Sequence, residues 1–589
     1  KALQSLLLQS SYVHLFADVG VHSNYNFFKE SISRIIRRLF PTYGDARYID
    51  VALSQIFMQE GDAAWLADLP AEIKAQVSKL IFSDPEFSDQ FRLRLAEDAA
   101  EASLIVCLRA IAISIQREVT DRAGISHIAE VPTLRLREKV EYFYSAIISG
   151  QSLTAIDLVQ ADVTAEIREC RKYINNVYDH IEQSGVSISL VFGLESIASL
   201  LDRIETLVPF TTNLMFPERN FNSWSLFVRL LENIWEEQKI GPLLKGSFHL
   251  LSRKVVERTG ATGENYITAN PAEYGLMFKA AMGGGFITAF TGFVKLMGPT
   301  NLPPVMLGIF ATLNYSISFI IIHHFHFKLA TKQPAMTAAA LAARLKESHQ
   351  LQEFIDLVAR IFRSQFAAAS GNIIAVIPVA YLLDYFSRTW WKGPVVAPEY
   401  AAYLLHTLDP IHTLTIAYAA LTGVLLWLSG IFSGWVENAF VYYQVPKAIH
   451  SHRGLNNLFG GAWLDWLTER IKHNLPGWSS SVALGFCLGF VPVFAIFLGL
   501  PLDVRHVTLS AGSASYAISA LGFANIDHGV LFRTAAGIGL IGILNFGVSF
   551  ALAFVMAIRA NDIPRAKVAV ILRSCVVAFL KTPKKFFFP

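Results

Sequence analysis

Three histidines stand close together near the middle of the chain, at His323, His324 and His326. Imidazole nitrogen is a common metal ligand, so the cluster could bind a transition metal. On a helix, however, positions 323 and 326 share a face while 324 points away, and no H-x-x-x-H pair or adjacent carboxylate completes a ligand set. The pattern therefore favours an interfacial histidine cluster, and the sequence predicts neither a metal site nor a bound cofactor.

Two further patterns could handle phosphate. The segment 450–453 (His-Ser-His-Arg) contains an H-x-x-R pair, which could stabilise a phosphodiester attacked by a tyrosine. The next tyrosine is Tyr516, beyond a predicted membrane span, so the two cannot share a site. The segment 537–542 matches G-x-G-x-x-G but lies in an apolar span with no strand before it, which favours helix packing. Without H-E-x-x-H or G-x-S-x-G, no catalytic motif identifies an enzyme.

Composition points to a membrane rather than to nucleic acid. Of 589 residues, 53% are hydrophobic and only 16% are charged, against about 25% in soluble domains. A net charge of +3 argues against a large nucleic-acid footprint, so no direct nucleic-acid partner is expected. The four cysteines are far apart and are predicted to be ordinary buried thiols.

The N-terminal part, residues 1–265, is predicted to be a soluble, cytoplasmic, all-α bundle. Helical periodicity dominates it, as in the segment 27–40, where one stripe contains Phe28, Ile32, Ile35, Ile36 and Leu39. The apolar runs around 104–108 and over 187–208 are interrupted by charges, so both are interpreted as core helices. The chain starts at Lys1 rather than Met, and we expect the natural N-terminus to lie upstream.

The C-terminal part, residues 266–558, is predicted to be a polytopic transmembrane helical domain, followed by a basic cytoplasmic tail at 559–589. Spans of about 20 residues are expected at 275–297, 303–325, 367–387, 411–434, 479–500 and 535–558. A seventh segment, 506–526, is rich in serine and glycine. It could be a re-entrant element or a helix on the outer face.

Basic residues favour six spans rather than seven. The connections 328–363, 435–478 and 559–589 carry 6, 4 and 7 Lys/Arg residues, whereas 298–302, 388–410 and 501–534 carry 0, 2 and 2. Positive residues concentrate on the cytoplasmic side of a membrane protein. The sequence therefore predicts a multi-pass protein of the bacterial inner membrane with both termini in the cytoplasm.

Glycine spacing predicts how the spans pack. The pairs Gly430/Gly434 and Gly485/Gly489 fit close helix crossings, and Gly283-Gly284-Gly285 is expected to loosen or kink the first span. No inverted repeat is evident, and no pair of broken helices occupies matching positions of two halves, which argues against transport alone.

The segments around the first two spans are the most distinctive. They include Gly-Glu-Asn-Tyr-Ile-Thr at 263–268 and Ala-Thr-Lys-Gln-Pro-Ala-Met-Thr at 330–337. These segments, together with Phe-Ala-Asp-Val-Gly at 16–20, resemble a proteobacterial membrane family named "site-specific recombinase" (Gcr type). The resemblance covers essentially the whole chain, and the family name implies DNA strand exchange.

Polar residues at membrane depth and within those segments are the candidate ligand-binding residues, because burying such groups in lipid is costly. Pro334 is expected to end the helix of the second span and leave a lysine beside free carbonyls, a corner that could hold an anionic headgroup. The candidate ligand-binding residues are Glu264, Tyr266, Lys279, Asn314, Tyr315, Lys332 and Gln333.

The sequence favours a membrane protein that binds or transports a lipid or another amphiphile, with membrane lipids as partners. Three alternatives stay open: a scaffold that recruits a cytoplasmic protein, an intramembrane enzyme, and a recombinase as the family name implies. The ligand and the oligomeric state are not determined by the sequence.

Overall fold

A computed structural model describes residues 2–22, 26–39, 49–57, 61–216, 223–236, 239, 241–263, 266–299, 301–330, 333–347 and 351–589. Within these residues the chain is 84% helical, with 26 helices and no strands, which confirms the all-α prediction. It divides into two compact units, Lys1–Leu251 and Ser252–Pro589. The boundary falls inside a helix, earlier than the expected end of the N-terminal domain at residue 265.

The first unit is a bundle built on four long helices, α7, α9, α10 and α11. The predicted core helix around 104–108 is part of α7, where Val106 and Cys107 are buried, and α7 packs chiefly against α11. Cys107 and Cys170 are buried and Cys487 and Cys575 are half-buried, and all four are free thiols. The helices of this part are α1 Ala2–Gln9, α2 Val13–Ala17, α3 Phe27–Leu39, α4 Ile49–Ile56, α5 Asp62–Ala67, α6 Ala71–Ile81, α7 Pro85–Ser114, α8 Arg117–Ala123, α9 Pro132–Ile148, α10 Leu153–Ser184, α11 Ile188–Met215, α12 Ser223–Glu236 and α13 Gly241–Gly263.

The second unit contains six helices long and apolar enough to cross a membrane: α14, α15, α17, α19, α22 and α24. Each overlaps one of the six predicted spans, with ends that differ by several residues, and α17 and α22 are much longer than predicted. The helices are α14 Pro271–Met297, α15 Pro304–His324, α16 Gln333–Glu347, α17 Leu351–Trp391, α18 Pro398–His406, α19 Thr415–Tyr442, α20 Val445–Ser451, α21 Arg453–Phe459, α22 Gly461–Leu498, α23 Val507–Leu521, α24 His528–Ala560, α25 Arg565–Lys581 and α26 Lys584–Phe587.

The membrane unit consists of two halves with the same order of elements. The first half, residues 252–391, has two spans (α14, α15), a 15-residue helix (α16) and a third span (α17). The second half, residues 398–560, repeats this order with α19, α22, the 15-residue α23 and α24. We call α16 and α23 the half-helices, because 15 residues are too few to span a bilayer.

Helix packing follows the same rule in both halves. The first span packs along the third, α14 on α17 and α19 on α24. Each half-helix packs chiefly against the third span of the other half, α16 on α24 and α23 on α17. The expectation that the sequence contains no inverted repeat is therefore corrected. Because each half holds three spans, an odd number, the second half enters the bilayer from the side opposite to the first.

Helices α15 and α22 cross where the two halves meet, and their contacts mirror one another. A Cβ added to Gly308 would lie 2.7 Å from Cγ2 of Val493, and one added to Gly485 would lie 2.2 Å from Oγ of Ser316. Between these two contacts, Gly489 faces Thr312 in the same way. A two-fold rotation that exchanges α15 with α22 also exchanges the Gly308–Val493 contact with the Gly485–Ser316 contact.

We predict that Gly485→Ala destabilises the membrane unit, because its methyl group would also lie 2.7 Å from the backbone nitrogen of Ser316. Overpacking of this kind costs about 1–3 kcal/mol. The midpoint of heat-induced aggregation in detergent, followed by size-exclusion chromatography, should fall by several degrees. The matched control is Gly547→Ala in α24, where no atom lies within 4 Å; an equal loss in both variants would contradict the close-packing interpretation.

Candidate functional site

Asn372, fully buried in the middle of α17, joins three segments of the first half. Its Nδ2 donates to the carbonyl of Ala281 in α14 at 2.5 Å and to the carbonyl of Lys328 at 2.9 Å. Its Oδ1 accepts from the backbone N–H of Ala330 at 3.0 Å. One amide side chain thus satisfies backbone groups of the non-helical segment that leads from α15 into α16. We call this arrangement the first crossing.

The triple glycine makes room for the first crossing. Cβ atoms added to Gly284 and Gly285 would lie 2.3 Å from the carbonyl oxygens of Lys328 and Asn372, respectively. Helix α14 nevertheless runs unbroken from Pro271 to Met297. The glycines therefore do not interrupt the helix, and they let two backbones approach it.

Asn545, fully buried in the middle of α24, forms a second crossing of the same kind. Its Nδ2 donates to the carbonyls of Ala419 and Arg505, both at 3.0 Å, and its Oδ1 accepts from the N–H of Val507 at 3.1 Å. The partners match those of the first crossing. In each half, the asparagine donates to one carbonyl of the first span and to one carbonyl just before the half-helix, and it accepts from the N–H two residues after that second carbonyl. Asn372 and Asn545 are therefore equivalent positions.

A basic residue precedes each half-helix at matching positions, Lys328 in the first half and Arg505 in the second. The Lys328 ammonium lies 4.2 Å from the ring centroid of Tyr266, and the Arg505 guanidinium lies 5.4 Å from that of Tyr418. Burial raises the pKa of the Tyr266 hydroxyl, so this ring is neutral near pH 7. Both cations thus rest on an aromatic face, an attractive arrangement where water is scarce.

The half-helices differ in how their far ends are held. At the end of α23, the fully buried carboxylate of Asp384 accepts from Ser519 Oγ at 2.6 Å, Arg388 Nε at 2.8 Å and Val395 N–H at 2.8 Å. Around α16, the corresponding surface is apolar and contains Ala338–Ala342 packed near Ala553 and Ala557. The two halves therefore hold the far ends of their half-helices with different side chains.

Asp409, between α18 and α19, forms a separate polar cluster. Its carboxylate pairs with His412 and with Arg533, each at 2.9 Å. Burial opposes ionisation, but the His412 side chain and the backbone N–H groups of Ile411 and His412 hold the pKa of Asp409 well below its usual range. The Asp409 carboxylate stays ionised at neutral pH, and its pair with Arg533 ties this connection to α24.

The two halves also fill an equivalent space in opposite ways. In the second half, Tyr516 projects from the half-helix onto Ala289 of α14, and its hydroxyl donates to the Ala289 carbonyl at 2.9 Å. At the matching place in the first half, the half-helix carries Ala339 and the large residue is Trp427 of α19. An apolar crevice remains there, lined by Val255, Val256, Thr259, Ala339, Trp427, Ile431, Ala553 and Met556. Trp427 Nε1 is buried and has no hydrogen-bond partner among the described residues.

Two of the predicted candidate residues lie in α15. Asn314 donates from Nδ2 to the carbonyl of Thr291 at 2.9 Å, so it joins α15 to α14. Tyr315 is buried, stacks on Phe319, and lies below the ammonium of Lys295. Both side chains take part in helix packing.

The remaining candidate residues are dispersed. Tyr266 lies beside Lys328 near the first crossing, whereas Lys279 is exposed on α14. Glu264 and Lys332 lie outside the described residues, and the side chain of Gln333, the first residue of α16, is not described. The corner expected at Pro334 is corrected: α15 already ends at His324, and Pro334 lies in the first turn of α16, where proline fits well.

Sequence reasoning missed Asn372 and the crevice at Trp427. Asn372 follows Gly371 inside the predicted span 367–387, and an asparagine at that depth was the available signal. A Cβ at Gly371 would lie 2.6 Å from the carbonyl oxygen of Phe278, so the glycine permits the approach that Asn372 needs. Nothing in the local sequence could reveal the crevice, since its walls come from four helices.

We predict that Asn372→Ala and Asn545→Ala each destabilise the membrane unit by about 1–3 kcal/mol, because each removes three buried hydrogen bonds, from two carbonyls and one N–H of the backbone. Both variants should lower the melting midpoint in detergent by a similar amount. The control is Asn561→Ala, since Asn561 donates only to Ala557 of its own helix. A large effect at one crossing and none at the other would contradict their equivalence.

Comparison with known proteins agrees with the resemblance seen in the sequence. A family model described as site-specific recombinase matches residues 1–589, the whole chain. No curated protein and no solved structure gives a match. The predicted family is thereby confirmed. The chain, whose second unit has six apolar helices suited to a multi-pass membrane protein, belongs to the site-specific recombinase family.

Proposed function

We propose that the chain transports a lipid or another amphiphilic molecule across or within the bilayer. The observation that carries this proposal is the pair of inverted halves. In each half, a buried asparagine of the third span bonds the backbone at the start of the half-helix. Inverted repeats with interrupted helices near the bilayer midplane are the architecture of many secondary transporters. We further propose the bacterial inner membrane as its location, with both termini in the cytoplasm.

Inverted halves supply two conformations of equal design. If each half can take the packing that the other has now, exchanging them turns a site open to one side into a site open to the other. Tyr516 fills the space beside α23, whereas the crevice at Trp427 remains beside α16. We propose that the crevice closes and its counterpart at Tyr516 opens in the alternative state.

The chemistry of the crevice favours an amphiphile. Its walls are aliphatic apart from Thr259, whose hydroxyl is already bonded to the carbonyl of Val255. The remaining polar group is the Trp427 N–H, a donor without a partner in the described protein. The crevice has a volume of only about 10 Å³ in this structure, so it must widen before an acyl chain and an ester or carboxylate oxygen can enter. A small hydrophilic solute would leave its own polar groups unpaired there.

DNA strand exchange, which the family description names, needs a nucleophile that a phosphodiester can reach. Tyr516, the tyrosine that follows the H-x-x-R pair in sequence, is fully buried with its hydroxyl bonded to Ala289. This geometry favours a packing role for Tyr516. We therefore propose the transport function ahead of recombination.

To test transport, the full chain would be reconstituted into vesicles that contain phosphatidylethanolamine with a fluorescent headgroup, and dithionite would be added outside. We expect the protected inner-leaflet fluorescence to decay at least several-fold faster than in protein-free vesicles. Asn372→Ala with Asn545→Ala should slow this decay, and Asn561→Ala should not. Decay at the protein-free rate, together with native mass spectra that show a second protein bound instead of lipid, would favour a scaffold.

We predict that Trp427→Phe lowers the amount of lipid that co-purifies with the chain by several-fold, because it removes the N–H donor and keeps the aromatic ring. Native mass spectrometry in mild detergent would measure the bound fraction and identify the lipid. The matched control is Trp435→Phe in the same helix, since Trp435 is 48% exposed. Equal retention in both variants would remove Trp427 from the binding site.

A further inference from the structure

Helix α3 of the first unit turns its polar side inward. Glu30 and Arg34 are 1% and 6% exposed, beside the buried ring of Phe27. Phe27 in turn packs against Phe192 of α11, with 5.9 Å between ring centroids. The charged residues of this amphipathic helix therefore lie on the face that contacts the bundle.

Specific contacts hold this orientation. Arg34 Nε donates to Glu30 Oε1 at 3.0 Å, and Arg34 Nη1 donates to the carbonyl of Lys239 at 2.9 Å. Rotating α3 by half a turn would leave Glu30 and Arg34 buried without their partners, or it would expose this pair and break the hydrogen bond to the Lys239 carbonyl. The inward polar face is thus part of the packing of the first unit.

The apolar stripe predicted from the sequence consequently faces away from the bundle. Phe28, Ile32, Ile35 and Ile36 are 60%, 56%, 43% and 52% exposed, and we call these four residues the outward face. In a water-soluble bundle, the apolar stripe of a helix normally faces the core. A contiguous apolar face of this size marks a surface that something else covers.

We propose that the outward face inserts among the lipid headgroups of an anionic bilayer. Besides the Glu30–Arg34 pair, α3 carries Lys29, Arg37 and Arg38, so its net charge is positive. Lys29 is exposed, and at about 100° per residue it falls at one edge of the apolar face. An apolar face bordered by basic residues is the pattern of helices that lie in the membrane interface. The same chain has six helices suited to cross a membrane, so the first unit is covalently tethered to a bilayer.

Site-specific fluorescence on the full chain tests this proposal. In a background in which the four native cysteines are replaced by alanine, a cysteine at Ile32 would carry an environment-sensitive dye. The matched control would carry it at Leu158 of α10, which is 69% exposed. The protein would be reconstituted into phosphatidylcholine vesicles that contain phosphatidylglycerol, with or without a lipid spin-labelled near the headgroup.

We expect the spin-labelled lipid to quench the dye at position 32 several-fold more than the dye at position 158. Equal quenching at the two positions would overturn the proposal. A blue-shifted dye at position 32 that the lipid does not quench would also overturn it, because protein rather than lipid would then cover the outward face. Ile35 offers a second labelling position on the same face if the Ile32 variant does not fold.

Discussion

A backbone that leaves a helix inside a bilayer finds no water to bond its N–H and carbonyl groups, and this constraint governs the membrane unit. The chain meets it twice with a buried asparagine. Asn372 and Asn545 each accept a hydrogen bond from one backbone N–H and donate hydrogen bonds to two backbone carbonyls. Gly284 of α14 follows from the same constraint, since only a residue without Cβ lets the carbonyl of Lys328 in the non-helical segment come near enough. The half-helices could not start at that depth without these residues.

The two inverted halves of the membrane unit can be compared residue by residue, and the comparison shows where their packing agrees and where it differs. Both halves share the asparagine crossing and the glycine contacts between α15 and α22. The halves differ at two places. Asp384 accepts a hydrogen bond from the end of α23. The large side chain beside the half-helix is Tyr516 of the half-helix in the second half, and Trp427 of α19 in the first. A packed interface with two discrete arrangements is the usual basis of a conformational switch.

Several features followed from the sequence because each rests on local composition. Long apolar runs predicted six spans, and charge bias excluded 506–526 as a seventh; α23 in that segment is a buried 15-residue helix. The repeat was not visible, because the halves share few identical residues beyond Ala281 and Ala419, Gly308 and Gly485, and the two asparagines. Unequal connections, including α20 and α21, also shift the spacing between matched residues, so no fixed period exists. For α3, periodicity located the apolar stripe at Phe28 and Ile32 but could not tell which side the bundle would cover.

The odd number of spans in each half has a consequence for how the protein arose. Fusing two copies of one ancestral gene gives this arrangement only if the ancestral product could insert in either orientation. After fusion, basic residues had to settle each copy in opposite directions. The present chain shows this division: the first half carries its basic connection after its second span, at 328–363, and the second half after its first and third spans, at 435–478 and 559–589. The two halves thus differ in where their basic residues lie, while each has an asparagine at the centre of its third span.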